Sequence, residues 1–137
     1  MKIILLIFLM QNGITNNTAY EVDTVIRETL DRLEISGVNI VVTEREILGY
    51  DFNGFVNRGP QNIYYITLES RLKPKLLKRT LEHELIHVHQ YHTGKLIKVN
   101  KHKMIYEGRD YSVSDYPRLP YEYEAIKGID KYLKRIE

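Results

Sequence analysis

Five consecutive residues, His83-Glu84-Leu85-Ile86-His87, carry the sharpest chemical signal in the chain. On a helix turning about 100° per residue, histidines four apart stand on one face, one turn above the other. That spacing brings two imidazoles to a single tetrahedral Zn²⁺ and sets Glu84 beside it to polarise a metal-bound water. Zinc takes the pKa of such a water from about 15.7 to about 7, so hydroxide is on hand near neutral pH to attack a peptide carbonyl. The spacing therefore predicts metal-assisted hydrolysis with one zinc ion, His83 and His87 as ligands, and Glu84 as general base.

The same five residues also arise by chance on a solvated helix, and the flanking sequence decides between the two. Leu77, Leu81, Leu85 and Val88 recur at i, i+4, i+8 and i+11, the stripe of a core-facing helix. Leu81 and Leu85 fall roughly opposite His83, so the histidines project away from the stripe, with Ile86 and Tyr91 flanking them. Pro74 suits the first helical turn and Gly94 the position past the end, which bounds a helix from about Pro74 to Thr93.

Catalytic zinc sites hold three protein ligands and leave the fourth position open. His89 lies about 200° around the helix from His87 and His92 about 140°, so both read as surface histidines. Further along, Pro120 marks a helix start, and Ile126, Ile129, Leu133 and Ile136 define its apolar stripe. One turn back from Ile126, that stripe reaches Glu122, which is thereby aimed at whatever the helix packs on. Glu124 falls about 160° from Ile126 and is expected to face solvent. Glu122 is the preferred third ligand, with His102 and Glu124 as alternatives. A carboxylate in a first turn also complements the helix dipole without any metal.

These residues resemble a small gluzincin, the zinc metallopeptidase group with H-E-x-x-H on one helix and a glutamate ligand on a second. In that group the glutamate often opens an E-x-x-A or E-x-x-x-D pattern. Glu122-Tyr123-Glu124-Ala125 supplies the first form, and Ile126 stands where the second has an aspartate that orients a histidine ligand. Small phage and bacterial metallopeptidases carry W-x-G-x-x-Y followed by P-W-E-x-E-A. This chain is similar, reading Tyr106-Glu107-Gly108-Arg109-Asp110-Tyr111 and then Pro120-Tyr121-Glu122-Tyr123-Glu124-Ala125, with tyrosine for both tryptophans. The likeness runs from about Thr80 to Ala125. It implies a zinc metallopeptidase acting on peptide or protein, with a zincin-like fold whose edge strand binds extended substrate. SprT-like metallopeptidases are a second resemblance, in which a loop histidine is the third ligand; that role would fall to His102, fifteen residues after His87. There Lys103 follows where Gly or Asp is usual.

At 137 residues, 43% apolar and 28% charged, the chain suits one globular domain. The formal charge of +2 demands no nucleic-acid surface. Cysteine is absent, so any metal site must be built from histidine and carboxylate. Met1-Lys2 followed by the apolar Ile3 to Met10 looks like a secretory leader, too short to span a bilayer, with a cut after Ala19. Residues 1–19 are accordingly expected as a signal peptide and 20–137 as the domain. The product would be an exported monomer; the alternative for the apolar run is a buried first strand in a cytoplasmic protein.

The remaining elements must position the motif. Val22, Ile26, Leu30 and Leu33 predict a helix near Ala19 to Leu33. Val38 to Thr43, Asp51 to Asn57 and Asn62 to Leu68 predict strands, the last two joined by a turn at Arg58-Gly59-Pro60-Gln61. An irregular tyrosine-rich loop from about Lys95 to Leu119 would follow the motif helix. The expected class is α+β: a small, mainly antiparallel sheet packed with the motif helix and the C-terminal helix carrying the third ligand. Ile63, Tyr64, Tyr65, Ile66 and Thr67, just before that helix, are the expected substrate edge strand, Tyr64 and Ile66 facing one side, Tyr65 and Thr67 the other. Tyr106, Tyr111, Tyr116 and Tyr121 are candidates to donate a phenolic O–H to a carbonyl oxyanion. A zinc-binding domain that does not cut is the rival class, against which an intact Glu84 speaks.

Overall fold

A computed structural model describes residues 4–9, 16–47, 53–116 and 118–133. In chain order the elements are β1 (Ile4–Leu9), α1 (Asn16–Arg32), β2 (Val38–Arg45), β3 (Gly54–Arg58), β4 (Ile63–Glu69), α2 (Pro74–His92), β5 (Leu96–Lys98), β6 (Lys103–Tyr106), β7 (Arg109–Ser112) and α3 (Pro120–Leu133). The class is mixed α+β. Strand β1 uses part of the apolar run read as a leader; residues 1–3 and 10–15 of that reading lie outside the described residues. No helix among the described residues is long and apolar enough to cross a membrane.

The larger sheet has the order β1-β2-β4-β3. Its β1·β2 and β2·β4 pairs are parallel and only β3·β4 is antiparallel, which corrects the expectation of a mainly antiparallel sheet. For β1·β2 the cause is α1, which returns the chain so that both run the same way, as a crossover helix does; for β2·β4 the chain passes first through β3, which then turns back antiparallel into β4. The hairpin was read correctly. Gln61 (φ 54°) and Asn62 (φ 60°) adopt left-handed backbone, and Gly59 N–H donates to the Ile63 carbonyl at 2.7 Å.

That hairpin also overturns the assignment of Ile63–Thr67 as the edge strand. Strand β4 is bonded on one side to β2 and on the other to β3, so its backbone groups are used on both sides. The edge is β3. The expected facing of β4 holds: Tyr64, Ile66 and Leu68 are buried, while Tyr65 is 42% exposed.

The core lies between this sheet and the helices. Val22, Ile26, Leu30 and Leu33 of the first helical segment, Ile40 and Val42 of β2, Tyr64, Ile66 and Leu68 of β4, and Leu77, Leu81, Leu85 and Val88 of α2 form one buried cluster. Leu81 and Leu85 are fully buried, worth about 1.5–3 kcal/mol each against exposure. This anchors one face of α2 to the sheet and fixes the direction of the other.

The predicted irregular loop is instead an antiparallel meander, β5-β6-β7, over a second small core of Leu96, Met104, Tyr106, Leu119 and Tyr121. Glu107 (φ 50°) and Gly108 (φ 80°) make its two-residue turn, a conformation glycine adopts without strain. Helix α3 then packs on α2. Ala125 is fully buried, and Gly128 lets Ile86 of α2 come close. Ile126, expected in the packing stripe, is 48% exposed; the side chain of Leu133 and all of Ile136 lie outside the described residues.

Candidate metal centre

With α2 pinned by its leucines, His83 and His87 stand where the helical repeat puts them, ring centroids 4.8 Å apart and nearly perpendicular at 83°. Their Nε2 atoms are 3.2 Å apart. Helix α3 brings the Glu122 Oε1 to 2.5 Å from His87 Nε2 and 3.3 Å from His83 Nε2. Among the described residues these three form a group able to hold a metal ion, all ligand atoms lying within 4.8 Å of one another. His87 and Glu122 are buried and His83 is partly open.

The donor set fits zinc. Two atoms bonded at 2.0–2.1 Å across a tetrahedral angle stand about 3.3 Å apart. The 3.2 and 3.3 Å separations match that edge. The His87–Glu122 pair, an imidazole against a carboxylate, is closer still, a charge-assisted contact tighter than the usual value of about 2.7–2.9 Å. Burial works against charge on both partners, but mutual bonding wins. Hydrogen bonds from His83 and then His87 hold Glu122 down at about 2, and Glu122 lifts His87 to about 9.

Glu84 is buried beside this group, and burial is the main cause that raises its pKa; the two histidines lower it and Glu122 adds to the rise. All four residues line a cleft of about 640 Å³. One wall is the edge strand, through Gly54, Phe55 and Val56. The meander and its exit also line it, through Lys98, Lys101, Met104 and Tyr116.

Of the four candidate tyrosines, Tyr116 and Tyr121 line the cleft. Tyr121 is pushed up to about 12 by burial and by Glu122, so it stays a phenol at neutral pH. Tyr106 and Tyr111 do not line it: both pack in the second core, and Tyr106 donates to Glu124. Tyr91, four residues past His87 on the same face, lines the cleft as well and was missed as a phenol donor there.

The alternative third ligands fall elsewhere. His102 is exposed at the β5–β6 turn, where its backbone N–H donates to Asn100 Oδ1 and its carbonyl accepts from Val113. Glu124 is outside the ligand group, and it does not face open solvent as expected. It pairs with Lys95 Nζ and accepts from Gln90 Nε2 at 2.9 Å. Burial alone would raise its pKa, but Lys95, Gln90 and Tyr106 bring it below the usual value. The histidines read as surface groups are only half-exposed, and His92 packs edge-on to Tyr64. Gln90, fully buried, escaped the sequence reading altogether. Its one legible sign was its place three residues after His87. Comparison with protein-family models, curated proteins and solved structures finds no match.

Proposed function

We propose that this chain is a zinc-dependent metallopeptidase of the gluzincin type, acting on peptide or protein. One observation carries the reading. A buried carboxylate, Glu84, stands next to a His-His-Glu group without belonging to it, at the floor of a cleft walled by an edge strand. A site that only bound metal would have no use for a desolvated base.

His83, His87 and Glu122 would hold the ion, which supplies a Lewis acid and brings the pKa of a water toward 7. An extended substrate backbone lies along β3, an end strand of the four-stranded sheet that lines the cleft. Glu84, its pKa raised by burial, removes a proton from the attacking water and delivers it to the leaving amine. Tyr121 and Tyr116 are the phenols on the cleft from which an O–H can be donated to the carbonyl oxygen.

The test is metal analysis beside a quenched-peptide assay. Glu84→Gln is expected to keep one zinc per chain and to lower turnover by about 10²- to 10⁴-fold. His87→Ala and Glu122→Ala are expected to lose the metal. Zinc lost equally from Glu84→Gln would show that Glu84 is a ligand, and hydrolysis that survives chelation would sink the zinc mechanism.

A further inference from the structure

We propose that Gln90 and Glu124 are positioning residues that hold a hydrogen on His87 Nδ1, so that Nε2 is the ring nitrogen that gives up its proton to take a metal. The proposal rests on the metal-centre reading above. It starts from the Gln90 side chain, which is fully buried and has polar neighbours on both ends of its amide.

At one end lie two atoms that can only accept: the Tyr121 carbonyl at 3.0 Å and a Glu124 oxygen at 2.9 Å. The end of the amide facing them must therefore be the NH₂, which has two hydrogens to give. The other end is then the carbonyl oxygen, and it lies 2.7 Å from His87 Nδ1. An oxygen there cannot donate, so His87 Nδ1 must carry the hydrogen. When His87 gives up its other proton, the lone pair therefore appears on Nε2, the atom that meets His83 and Glu122.

The direction of the amide is thus dictated from α3, and the histidine on α2 reads it. Glu124 is suited to dictate because its other oxygen is already paired with Lys95 Nζ. A carboxylate at position 90 would not serve. It would face the Glu124 oxygen and the Tyr121 carbonyl with no hydrogen to offer either.

The experiment is a double-mutant cycle in zinc affinity, measured by competition with a chromophoric chelator, together with nitrogen-15 spectra of the histidine rings in the zinc-loaded protein. Gln90→Leu is expected to weaken zinc by about 10- to 100-fold, the usual loss for a group that orients a ligand. Glu124→Leu should lose less, and Glu124→Gln, which still offers an acceptor oxygen, should stay within a few-fold of the parent. Because Glu124 acts through Gln90, the double Leu variant should be no weaker than Gln90→Leu alone. The parent's His87 should show a hydrogen on Nδ1 and zinc on Nε2. Zinc held tightly by the parent with losses that simply add, or with His87 bound through Nδ1, overturns the relay alone. Failure of the parent to bind zinc overturns the metal centre and the relay together.

Discussion

Gly128 sets how closely the two ligand-bearing helices approach, and substitution there separates local from global strain. A Cβ at this position would sit 2.9 Å from Ile86 Cδ1 and 3.5 and 3.6 Å from its Cγ2 and Cγ1. For Gly128→Ala only the first contact is too short, and it involves a terminal methyl. Turning Ile86 off its rotamer costs about 0.5–1.5 kcal/mol. Replacing a helical glycine by alanine returns about 0.8–1.0 kcal/mol. The two nearly cancel, so the Ala variant should unfold within about 0.7 kcal/mol of the parent and bind zinc normally. Gly128→Leu adds three more carbons against Ile86, which is 1% exposed, beside the fully buried Ala125. Overpacking of that kind costs about 1–3 kcal/mol, or the helix moves away. Glu122 lies less than two turns before Gly128, and metal bonds tolerate about 0.2 Å. A shift of α3 by even 1 Å should therefore cost the Leu variant at least about tenfold in zinc affinity. Urea unfolding of the metal-free protein and chelator competition read the two effects separately. A Leu variant with the parent's zinc affinity would refute the claim that this contact seats Glu122.

Two other perturbations probe the scaffold and the cleft. Glu69 is held at about 2 by hydrogen bonds from Arg71 and the Ile47 N–H. Its stabilising effect is thus present above the ordinary carboxylate range and lost as pH falls from about 4.5 toward 2. Glu69→Gln should be less stable at pH 7 and show a flatter decline across that window in urea midpoints; an unchanged slope would contradict the assignment. Arg79, Lys98 and Lys101 are exposed cations on the cleft lining, whose only carboxylates among the described residues are Glu84 and Glu122. Peptides with acidic residues flanking the scissile bond should bind the Glu84→Gln protein more tightly than basic ones at low salt, and reversing the three charges should invert the order. A parent with no charge preference would rule this out.

How far the sequence could be read depended on the range of the interaction involved. His83, Glu84 and His87 were legible because a helical repeat is local: once Leu81 and Leu85 are buried, the opposite face is determined. Glu122 was found through a stripe that includes Ile126, yet Ile126 is exposed and the contact surface is made by Ala125, Gly128 and Ile129. Small residues carry no hydrophobic periodicity, so the correct side of α3 was reached through a neighbour of the true seam. Strand β4 alternates cleanly, but the alternation is identical for an edge and an interior strand, and only the parallel partner β2 makes it interior. The meander strands are three or four residues long, too short for a period, although Glu107-Gly108 was a usable hairpin signal. Glu124 was misplaced for the deepest reason. Its partners Gln90 and Lys95 lie across the α2–α3 contact, and a polar group that finds its hydrogen bonds there leaves no pattern along the chain. Ile126 occupies the position at which the resemblance led one to look for a carboxylate orienting a histidine. The structure instead sets Gln90 against His87 and Glu124 behind it, so the absence of that carboxylate says little about whether the ligand is oriented.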